Sequence, residues 1–206
     1  MKGKEITTLF LDIGGVLLTN GWGGEQRNNA VVHFNLDPKE LNERHHLTFD
    51  TYEEGKLTLS EYLKRVVFYE KRKFSEDDFI NIMFKQSLPY QDTIDFFKGI
   101  KKRYQLKVIA VSNEGRELNA YRIKTFNLAE LFDAFVSSSF VHLRKPDKDI
   151  FCMATDISQT SPDNSLYIDN EHMFVEIAKT LGMHSIHFRG LDEAKNQLKE
   201  FGFEAG

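Results

Sequence analysis

Five short apolar runs recur along the chain, and longer segments with apolar residues at helical spacing separate most of them. The runs cover residues 6–12, 106–113, 134–138, 165–170 and 184–188. The helical patterns cover residues 93–104, 117–125, 147–156, 172–181 and 191–201. Short apolar runs are typical of buried strands, and apolar residues three and four positions apart are typical of helices. This alternation predicts an α/β fold, in which helices cover both faces of a parallel sheet.

Residues 25–87, between the first two runs, show no convincing strand and carry three signals for a helix start. Asp37 followed by Pro38 is a helix cap with proline at the first helical position. Thr58 or Ser60 begins a second helix, and Ser75 caps a third that has acidic residues in its first turn. The pattern in the second helix places four apolar residues at helical spacing: Leu59, Leu63, Val66 and Val67. The segment is therefore predicted to be a helical insertion.

Composition narrows the class of protein. The 206 residues suit one domain, or one domain with an insertion, and 41% of them are hydrophobic, which is enough for a substantial core. The formal net charge is −4, which does not favour nucleic-acid binding. No apolar run approaches the ~20 residues of a membrane span. We therefore expect a protein that binds neither nucleic acid nor membrane.

The cysteine content and the start of the chain bear on its compartment. Cys152 is the single cysteine, so the chain forms no internal disulfide and no cysteine-built zinc site. Residues 1–10 are too few and too polar before the first strand to form a signal peptide. A reducing, cytoplasmic location is expected.

Polar residues follow three of the predicted strands. They are Asp12, the pair Ser112-Asn113 and the pair Asp169-Asn170. Each of these groups, taken alone, is also typical of a turn or a helix start with a purely structural role. In a parallel sheet, however, ligands bind beyond the carboxyl ends of the strands, where all three would lie. Together they indicate a functional site at that edge.

With the insertion and a Lys-Pro pair before a later helix, these residues make the chain resemble the haloacid dehalogenase superfamily of hydrolases over nearly its whole length. FLDIGGVL, VIAVSN, LRKPD and LYIDNE resemble the four motifs of that superfamily in order. The resemblance implies a Rossmann-like core of residues 1–18 and 88–206 and a helical cap of the C1 type over residues 19–87. Within the family, DIGGVL is most similar to the α-D-glucose-1-phosphate phosphatase subgroup, whose first motif also has glycine at the second acid.

The resemblance implies phosphoryl-transfer chemistry. Asp12 would attack a phosphoryl group and form an aspartyl-phosphate, which splits one hydrolysis into two easier steps. Ser112 and Asn113 would bind the phosphate oxygens. Lys145 would set a positive charge against the transferred group. The expected substrate is a small phosphorylated metabolite, and sugar phosphates are included in that class.

The same resemblance implies a bound Mg²⁺, which offsets the charge of a carboxylate that meets a phosphate. Hard oxygen ligands suit this ion, and it accepts few protein ligands beside water. Asp12, the backbone carbonyl of Gly14, and Asp169 would supply them. The fourth motif has Asn170 where the family has its second acid, so Asp12 and Asp169 are the expected carboxylates.

Two further departures concern proton transfer and the downstream part of the fourth motif. Gly14 stands where many related enzymes have an acid that protonates the leaving group and activates water. Met173 and Phe174 occupy a downstream position that is usually polar. Glu114 and Glu171 are candidates to compensate, but a glutamate at such a place is more often exposed and solvated.

Three functions remain open on this sequence. The first is a Mg²⁺-dependent phosphatase. The second is a dehalogenase, which also uses an aspartate nucleophile without an acid two residues later but needs no metal, so Asp169 argues against it. The third is a binding protein on a weakened enzyme fold, which the residues at 14, 170 and 173 keep open. The sequence leaves the oligomeric state open.

Aromatic and histidine residues outside the motifs are ambiguous. Trp22 lies between two glycines and either shapes a substrate pocket or anchors the packing of core and cap. The pairs His45-His46 and His184/His187 invite a metal-site interpretation, but the sequence indicates no third ligand. We expect one histidine of the latter pair to be hydrogen-bonded and the other exposed.

Overall fold

A computed structural model of the chain describes residues 5–204 and contains a five-stranded sheet. Every neighbouring pair of strands is parallel, and the order across the sheet is β3-β2-β1-β4-β5. The strands are β1 Thr8–Leu11, β2 Lys107–Ser112, β3 Ala134–Ser137, β4 Ser165–Asp169 and β5 His184–His187. The five predicted strands are confirmed, each shorter by one to three residues at its ends.

Eleven α-helices occur within residues 5–204. They are α1 Gly24–Phe34, α2 Pro38–His46, α3 Phe49–Glu53, α4 Leu59–Val66, α5 Glu76–Lys85, α6 Gln91–Tyr104, α7 Arg116–Thr125, α8 Ser138–Val141, α9 Lys148–Ser158, α10 His172–Thr180 and α11 Leu191–Glu200. Short 3-10 turns cover Leu128–Glu130 and Pro162–Asn164. Helices α1–α5 form the insertion between β1 and β2.

The helix starts that the sequence predicts within the insertion are confirmed. The side chain of Asp37 accepts hydrogen bonds from the N–H groups of Lys39 and Glu40, and Pro38 is the first residue of α2. Thr58 and Ser75 each form a capping box with the acid three residues later. These contacts satisfy backbone N–H groups that the first turn of a helix leaves free.

Helices pack on both faces of the sheet, as the alternation predicts. Because side chains alternate along a strand, Leu9 and Leu11 of β1 join one buried apolar cluster and Phe10 joins another. The first cluster includes residues from α6 and α11, and the second includes residues from α9 and α10. The sheet is thus buried on both sides, and its carboxyl edge is left to carry polar groups.

The insertion has a third apolar cluster, drawn from residues 30–83 together with Leu118 of α7. The two chain segments that enter and leave it run side by side. Thr19 N–H donates to the carbonyl of Leu88 at 2.9 Å, and Tyr90 N–H donates to the carbonyl of Leu17 at 2.8 Å. The insertion is therefore joined to the sheet through two adjacent connections.

Two observations concern the expectations about the cellular compartment and the membrane. Cys152 is free and exposed. Within residues 5–204, none of the helices combines the length and the apolarity that crossing a membrane requires. The expectation about a signal peptide concerns residues 1–10, of which the first four lie outside the described part of the chain.

Candidate active site

The carboxyl edge of the sheet brings the predicted site residues together. β1 lies between β2 and β4, with Leu11 in register with Ala110 on one side and Ile168 on the other. Asp12 follows β1 directly, Ser112 ends β2 and Asp169 ends β4. Because these strands are parallel neighbours, the three residues meet at one edge.

Lys145 joins the two carboxylates of the site. Its Nζ lies 3.0 Å from Asp12 Oδ1 and 2.7 Å from Asp169 Oδ2. All three side chains are buried. Burial alone lowers the pKa of Lys145, but the two carboxylates more than offset this and hold that pKa above its ordinary value. Burial raises the pKa of Asp12 to about 6, against the opposing effect of Lys145. The site therefore balances two buried carboxylates with one cation.

Asn113 holds the segment that carries Lys145. Its Nδ2 donates to the carbonyl of Lys145 at 2.7 Å, and its Oδ1 accepts from the N–H of Lys145 at 2.9 Å. The Asn113 side chain thus contacts the backbone of Lys145, while its expected part in phosphate binding stays a prediction. Ser112 lines the cavity at the site, and its hydroxyl makes no hydrogen bond within the described chain.

Asp169 is oriented by two further contacts that the sequence analysis did not identify. The hydroxyl of Tyr167 donates to Asp169 Oδ2, and the N–H of Glu171 donates to Oδ1 at 2.8 Å. Tyr167 precedes Asp169 by two positions in β4, so both side chains lie on the same face of the strand. That spacing is the signal that would have identified Tyr167.

The oxygen atoms at this edge fit a small divalent cation. The backbone bridge between Gly14 and Leu18 uses the carbonyls of Ile13 and Leu18, so the Gly14 carbonyl accepts no hydrogen bond within residues 5–204. Asp12 and Asp169, which both contact Lys145 Nζ, supply carboxylate oxygens at the same edge. Mg²⁺ is commonly held by one or two carboxylates with waters and substrate phosphate, and these groups match that set. No cluster of three or more His, Cys, Asp or Glu suited to a metal occurs among the described residues.

The histidines noted in the sequence do not form a metal site in the described chain. His187 Nε2 lies 2.9 Å from the carbonyl of Asn170, and His184 packs edge-on against Phe201. Both are half-buried. The expectation that one of them would be exposed is therefore wrong, because Phe201 covers His184. His187 is hydrogen-bonded, as expected.

The backbone conformation at position 14 does not require a glycine. Its φ is not positive, in contrast to that of Gly15. A Cβ added at Gly14 would lie 3.5 Å from Asn20 Oδ1 and 4.0 Å from Asp12 Oδ2, which are ordinary contacts. The position therefore has room for a side chain that this sequence lacks.

Glu114 is buried, and the expectation that it would be exposed is wrong. Its Oε2 lies 2.5 Å from Nη1 of Arg122, which is also buried and donates through Nη2 to the carbonyl of Thr19 at 2.6 Å. Burial raises the pKa of Glu114 to about 7, although Arg122 acts to lower it. Gly21 makes this packing possible, because a Cβ there would lie 1.9 Å from Glu114 Oε1. Glu171 is exposed, as expected.

A cavity of about 590 Å³ lies above the site and is lined on its other side by residues of the insertion. Phe174 lines it, and Lys145 Nζ lies 5.0 Å from the centre of the Phe174 ring. Met173 is exposed. Trp22 also lines the cavity and packs edge-on against Phe79 of α5 at 5.7 Å. Trp22 therefore shapes the pocket and packs within the insertion, while its expected role as an anchor between core and cap stays a prediction. Other lining residues from the insertion and its neighbours are Arg27, Asn42, His45, Tyr52 and Glu53.

The fold and this edge define a class of protein: an α/β protein with a strand-end carboxylate pair, a buried lysine and a helical insertion above them. The sequence profile of the haloacid dehalogenase-like hydrolases matches residues 6–182. The chain therefore belongs to this family of hydrolases. A comparison with curated proteins finds no match.

Solved structures with similar folds come from several members of the family. The haloacid dehalogenase (HAD) family enzyme BT-2542 from Bacteroides thetaiotaomicron has a TM-score of 0.81 and 20% identity, over 95% of this chain and 99% of that one. The same enzyme has also been solved in complex with magnesium and inorganic phosphate. A HAD-like hydrolase from Porphyromonas gingivalis has a TM-score of 0.74 and 17% identity, over 94% and 98% of the two chains.

A dehalogenase shares the fold as well. L-2-haloacid dehalogenase from Xanthobacter autotrophicus, with chloropropionic acid covalently bound, has a TM-score of 0.64 and 15% identity, over 98% of this chain and 85% of that one. At these identities the likeness describes the fold and leaves the reaction to be argued from the residues.

Proposed function

We propose that this hydrolase is a Mg²⁺-dependent phosphatase of a small phosphorylated metabolite and that it acts through an aspartyl-phosphate on Asp12. The observation that carries the proposal is the contact of Lys145 Nζ with both Asp12 and Asp169 at the edge of the sheet. A nucleophilic carboxylate, a fixed cation and an adjacent hydroxyl are the groups that phosphoryl transfer needs.

In the first half-reaction, an oxygen of Asp12 forms a bond to phosphorus while the bond from phosphorus to the leaving oxygen breaks. Ser112 donates its hydroxyl hydrogen to a phosphate oxygen, and the Lys145 ammonium balances the negative charge of the phosphoryl oxygens. Asn113 positions Lys145 through its backbone. In the second half-reaction, water attacks phosphorus and the Asp12 carboxylate is released. Gly14 has no group that exchanges protons, so the leaving oxygen takes its proton from solvent in the first half-reaction and the attacking water releases a proton to solvent in the second.

Asp12, the carbonyl of Gly14, and Asp169 would hold the Mg²⁺. When bound, the ion offsets the charge of phosphate and carboxylate at close range. The complex of BT-2542 with magnesium and phosphate, on the same fold, supports this assignment. Tyr167 and the N–H of Glu171 orient Asp169 for this role.

The proposal also includes the domain boundaries, the subgroup and the cellular location. Residues 1–18 and 88–206 form the core, and residues 19–87 form a C1-type cap that encloses the substrate. The paired connections at Thr19 and Leu88 support these boundaries. The first motif favours the α-D-glucose-1-phosphate phosphatase subgroup, and the lone exposed cysteine favours the cytoplasm.

The polar lining of the cavity favours a phosphatase over a dehalogenase. Glu53, Arg144 and Arg27 line it beside the site. Small haloacids offer few groups for such residues, whereas a phosphorylated metabolite offers many. Asp169 also favours the phosphatase, because a second carboxylate beside Asp12 suits a metal ion that a dehalogenase does not need.

A substrate screen tests the proposal. The purified chain is assayed against phosphorylated metabolites and 2-haloacids, each with Mg²⁺ and with EDTA. We expect release of inorganic phosphate that depends on Mg²⁺. Release of halide independent of Mg²⁺ would instead identify a dehalogenase. Binding of phosphorylated metabolites without turnover would identify a binding protein on an enzyme fold.

A further inference from the structure

Three side chains of the insertion form a hydrogen-bonded series that ends at the cavity. Trp22 Nε1 donates to the hydroxyl oxygen of Tyr62 at 2.8 Å, and that hydroxyl lies 2.7 Å from His45 Nδ1. Tyr62 is fully buried. The ring of His45 also stacks on Phe49, with ring centres 5.0 Å apart. The orientation of the His45 ring is therefore fixed from two sides.

The series determines which nitrogen of His45 carries hydrogen. An indole N–H only donates, so the Tyr62 oxygen is the acceptor from Trp22. The single hydroxyl hydrogen of Tyr62 then has His45 Nδ1 as its acceptor within the described chain, and a buried hydroxyl hydrogen without an acceptor would be costly. Nδ1 is thus unprotonated, and the hydrogen of the neutral ring is on Nε2.

The charge state of His45 agrees with this assignment. Burial lowers its pKa to about 3, and the positive charges of Arg27 and His46 act in the same direction. The ring is neutral near pH 7. His45 lines the cavity, and its Nε2 has no protein partner in residues 5–204. Its Nε2–H is therefore a fixed donor that is available to a ligand.

Among the lysine and arginine side chains that line the cavity in the described chain, Arg27 differs in that it contacts no carboxylate. Lys145, Arg122 and Arg144 each contact at least one carboxylate. Arg27 instead donates to two neutral acceptors, the carbonyl of Trp22 at 2.8 Å and Asn42 Oδ1 at 3.1 Å.

The charge of Arg27 is thus left without a counter-ion in contact. The side chain is half-buried, and burial lowers its pKa, although a guanidinium stays charged at neutral pH. Its Nη2 has no partner among the described residues. The nearby carboxylate of Glu53 acts on Arg27 without an ion pair, because Glu53 pairs with Arg144. A partly buried cation that contacts no carboxylate is costly to the free protein, and an anionic ligand in contact with it would offset that cost.

We propose that Arg27 and His45 form a second anion-binding subsite on the insertion side of the cavity, which takes a carboxylate or phosphate at the far end of the leaving group. The inference rests on the proposed function for the reacting end alone. The substrate class becomes phosphate esters whose leaving group carries its own anionic group, such as phosphorylated sugar acids. Arg27 supplies the charge, and the neutral His45 supplies a donor of fixed direction.

A matched pair of esters tests the subsite. Glucuronic acid 1-phosphate differs from glucose 1-phosphate by a C6 carboxylate in place of the hydroxymethyl group, and in both esters the leaving oxygen is the anomeric one. In the wild type with Mg²⁺, we expect kcat/KM to be about tenfold or more higher for the acid, mainly through KM, as a charge-assisted hydrogen bond predicts. Arg27→Gln should bring the ratio close to one, whereas Arg65→Gln, on the exposed face of α4, should keep it. Equal values in the wild type would overturn the proposal.

A second measurement does not depend on turnover. The ¹⁵N chemical shifts of His45 should show an unprotonated Nδ1 and a protonated Nε2 in the wild type, and Tyr62→Phe should remove this preference. Added glucuronate should shift the Nε2–H resonance, and added glucose should not. A protonated Nδ1, or no response to glucuronate, would overturn the role of His45. Absence of turnover for both esters, with the expected NMR response, would contradict the proposed function and leave the subsite standing.

Discussion

The side chain of Asn113 and the backbone of Lys145 are joined by two reciprocal hydrogen bonds, of 2.7 Å and 2.9 Å. Asn113 follows β2, and Lys145 lies in the segment before α9, far along the chain. The pair of bonds fixes the start of the lysine side chain with respect to the sheet edge. The position of the ammonium group between two carboxylates therefore depends on an amide that does not touch them.

Asn113→Ala should lower kcat more than it raises KM. Loss of both bonds frees the segment that carries Lys145, and a misplacement near 1 Å can cost up to ~10²-fold in rate. The measurement is steady-state kinetics on the best substrate, with Asn28→Ala on the exposed face of α1 as control. An unchanged kcat with a raised KM would mean that Asn113 serves substrate binding alone.

Lys145→Ala should lower kcat by ~10²–10³, the usual cost of removing a group that stabilises charge in the transition state. The substitution also leaves two buried carboxylates without their cation, so the assay is made on protein whose circular dichroism matches the wild type. Lys98→Ala removes a partly exposed lysine that pairs with Glu130 far from the site and is the control. A loss below about threefold would show that Lys145 is not part of the chemistry.

The glycine at position 14 should make the rate depend steeply on the leaving group. Without an acid there, departure of the leaving group lacks help worth ~10²–10⁴ in rate. Anomeric sugar phosphates and aryl phosphates should be much better substrates than simple alkyl phosphates. The measurement is kcat/KM across phosphate esters that span a wide range of leaving-group pKa.

Gly14→Asp should flatten that dependence, because the position has room for a side chain and a carboxyl there lies beside Asp12. Gly14→Ala, which adds a Cβ and no acid, should leave it steep. If the wild type already handles poor leaving groups as fast as good ones, another residue supplies the proton, and Glu114, which lines the cavity, is the first to examine.

Glu114 should make stability depend on pH in a defined direction. Its pKa rises from an ordinary value of 4.5 to about 7 on folding, so between these values the folded chain holds a proton that the unfolded chain has released. The contribution of Glu114 to the free energy of unfolding is then full below pH 4.5 and is lost as the pH rises to about 7.

The side chain in Glu114→Gln cannot titrate. The free energy of unfolding of this variant, measured relative to that of the wild type, should therefore rise by roughly 3 kcal/mol between pH 4.5 and 7. Denaturant titrations at several pH values measure this gain. Glu130→Gln, at an exposed carboxyl whose pKa is lowered by Lys98, should give a weak slope of the opposite sign. A difference between Glu114→Gln and wild type that does not change with pH would contradict the raised pKa.

The parts of the structure that the sequence predicts are those with a local cause. Asp37, Thr58 and Ser75 satisfy N–H groups within their own first turns, so three helix starts could be placed from neighbouring residues. The start of helix α1 has no such local signal, because Gly23 offers no capping side chain and α1 contains few buried apolar residues. Helices α3 and α8, with five and four residues, are too short for a periodic pattern.

The site residues also fall into those that the sequence could predict and those that it could not. The proximity of Asp12, Ser112 and Asp169 could be predicted from the sequence, because parallel strands end at a common edge. The burial of Glu114 could not be foreseen, since it depends on how Arg122 of the following helix α7 folds back onto it and on the absence of a side chain at Gly21. The tautomer of His45 likewise depends on Tyr62 and Trp22, which only the packing of the insertion brings to it.

The most direct test of the proposed mechanism is to detect the covalent intermediate. The enzyme is mixed with a sugar phosphate and Mg²⁺, quenched in acid during turnover, digested and analysed by mass spectrometry. The peptide that contains Asp12 should carry one phosphoryl group, in high occupancy because Gly14 provides no base for the second step, and EDTA should abolish the label. Asp12→Asn should show neither label nor turnover. Release of phosphate by Asp12→Asn at the wild-type rate, or a phosphoryl group on a different residue, would contradict the account.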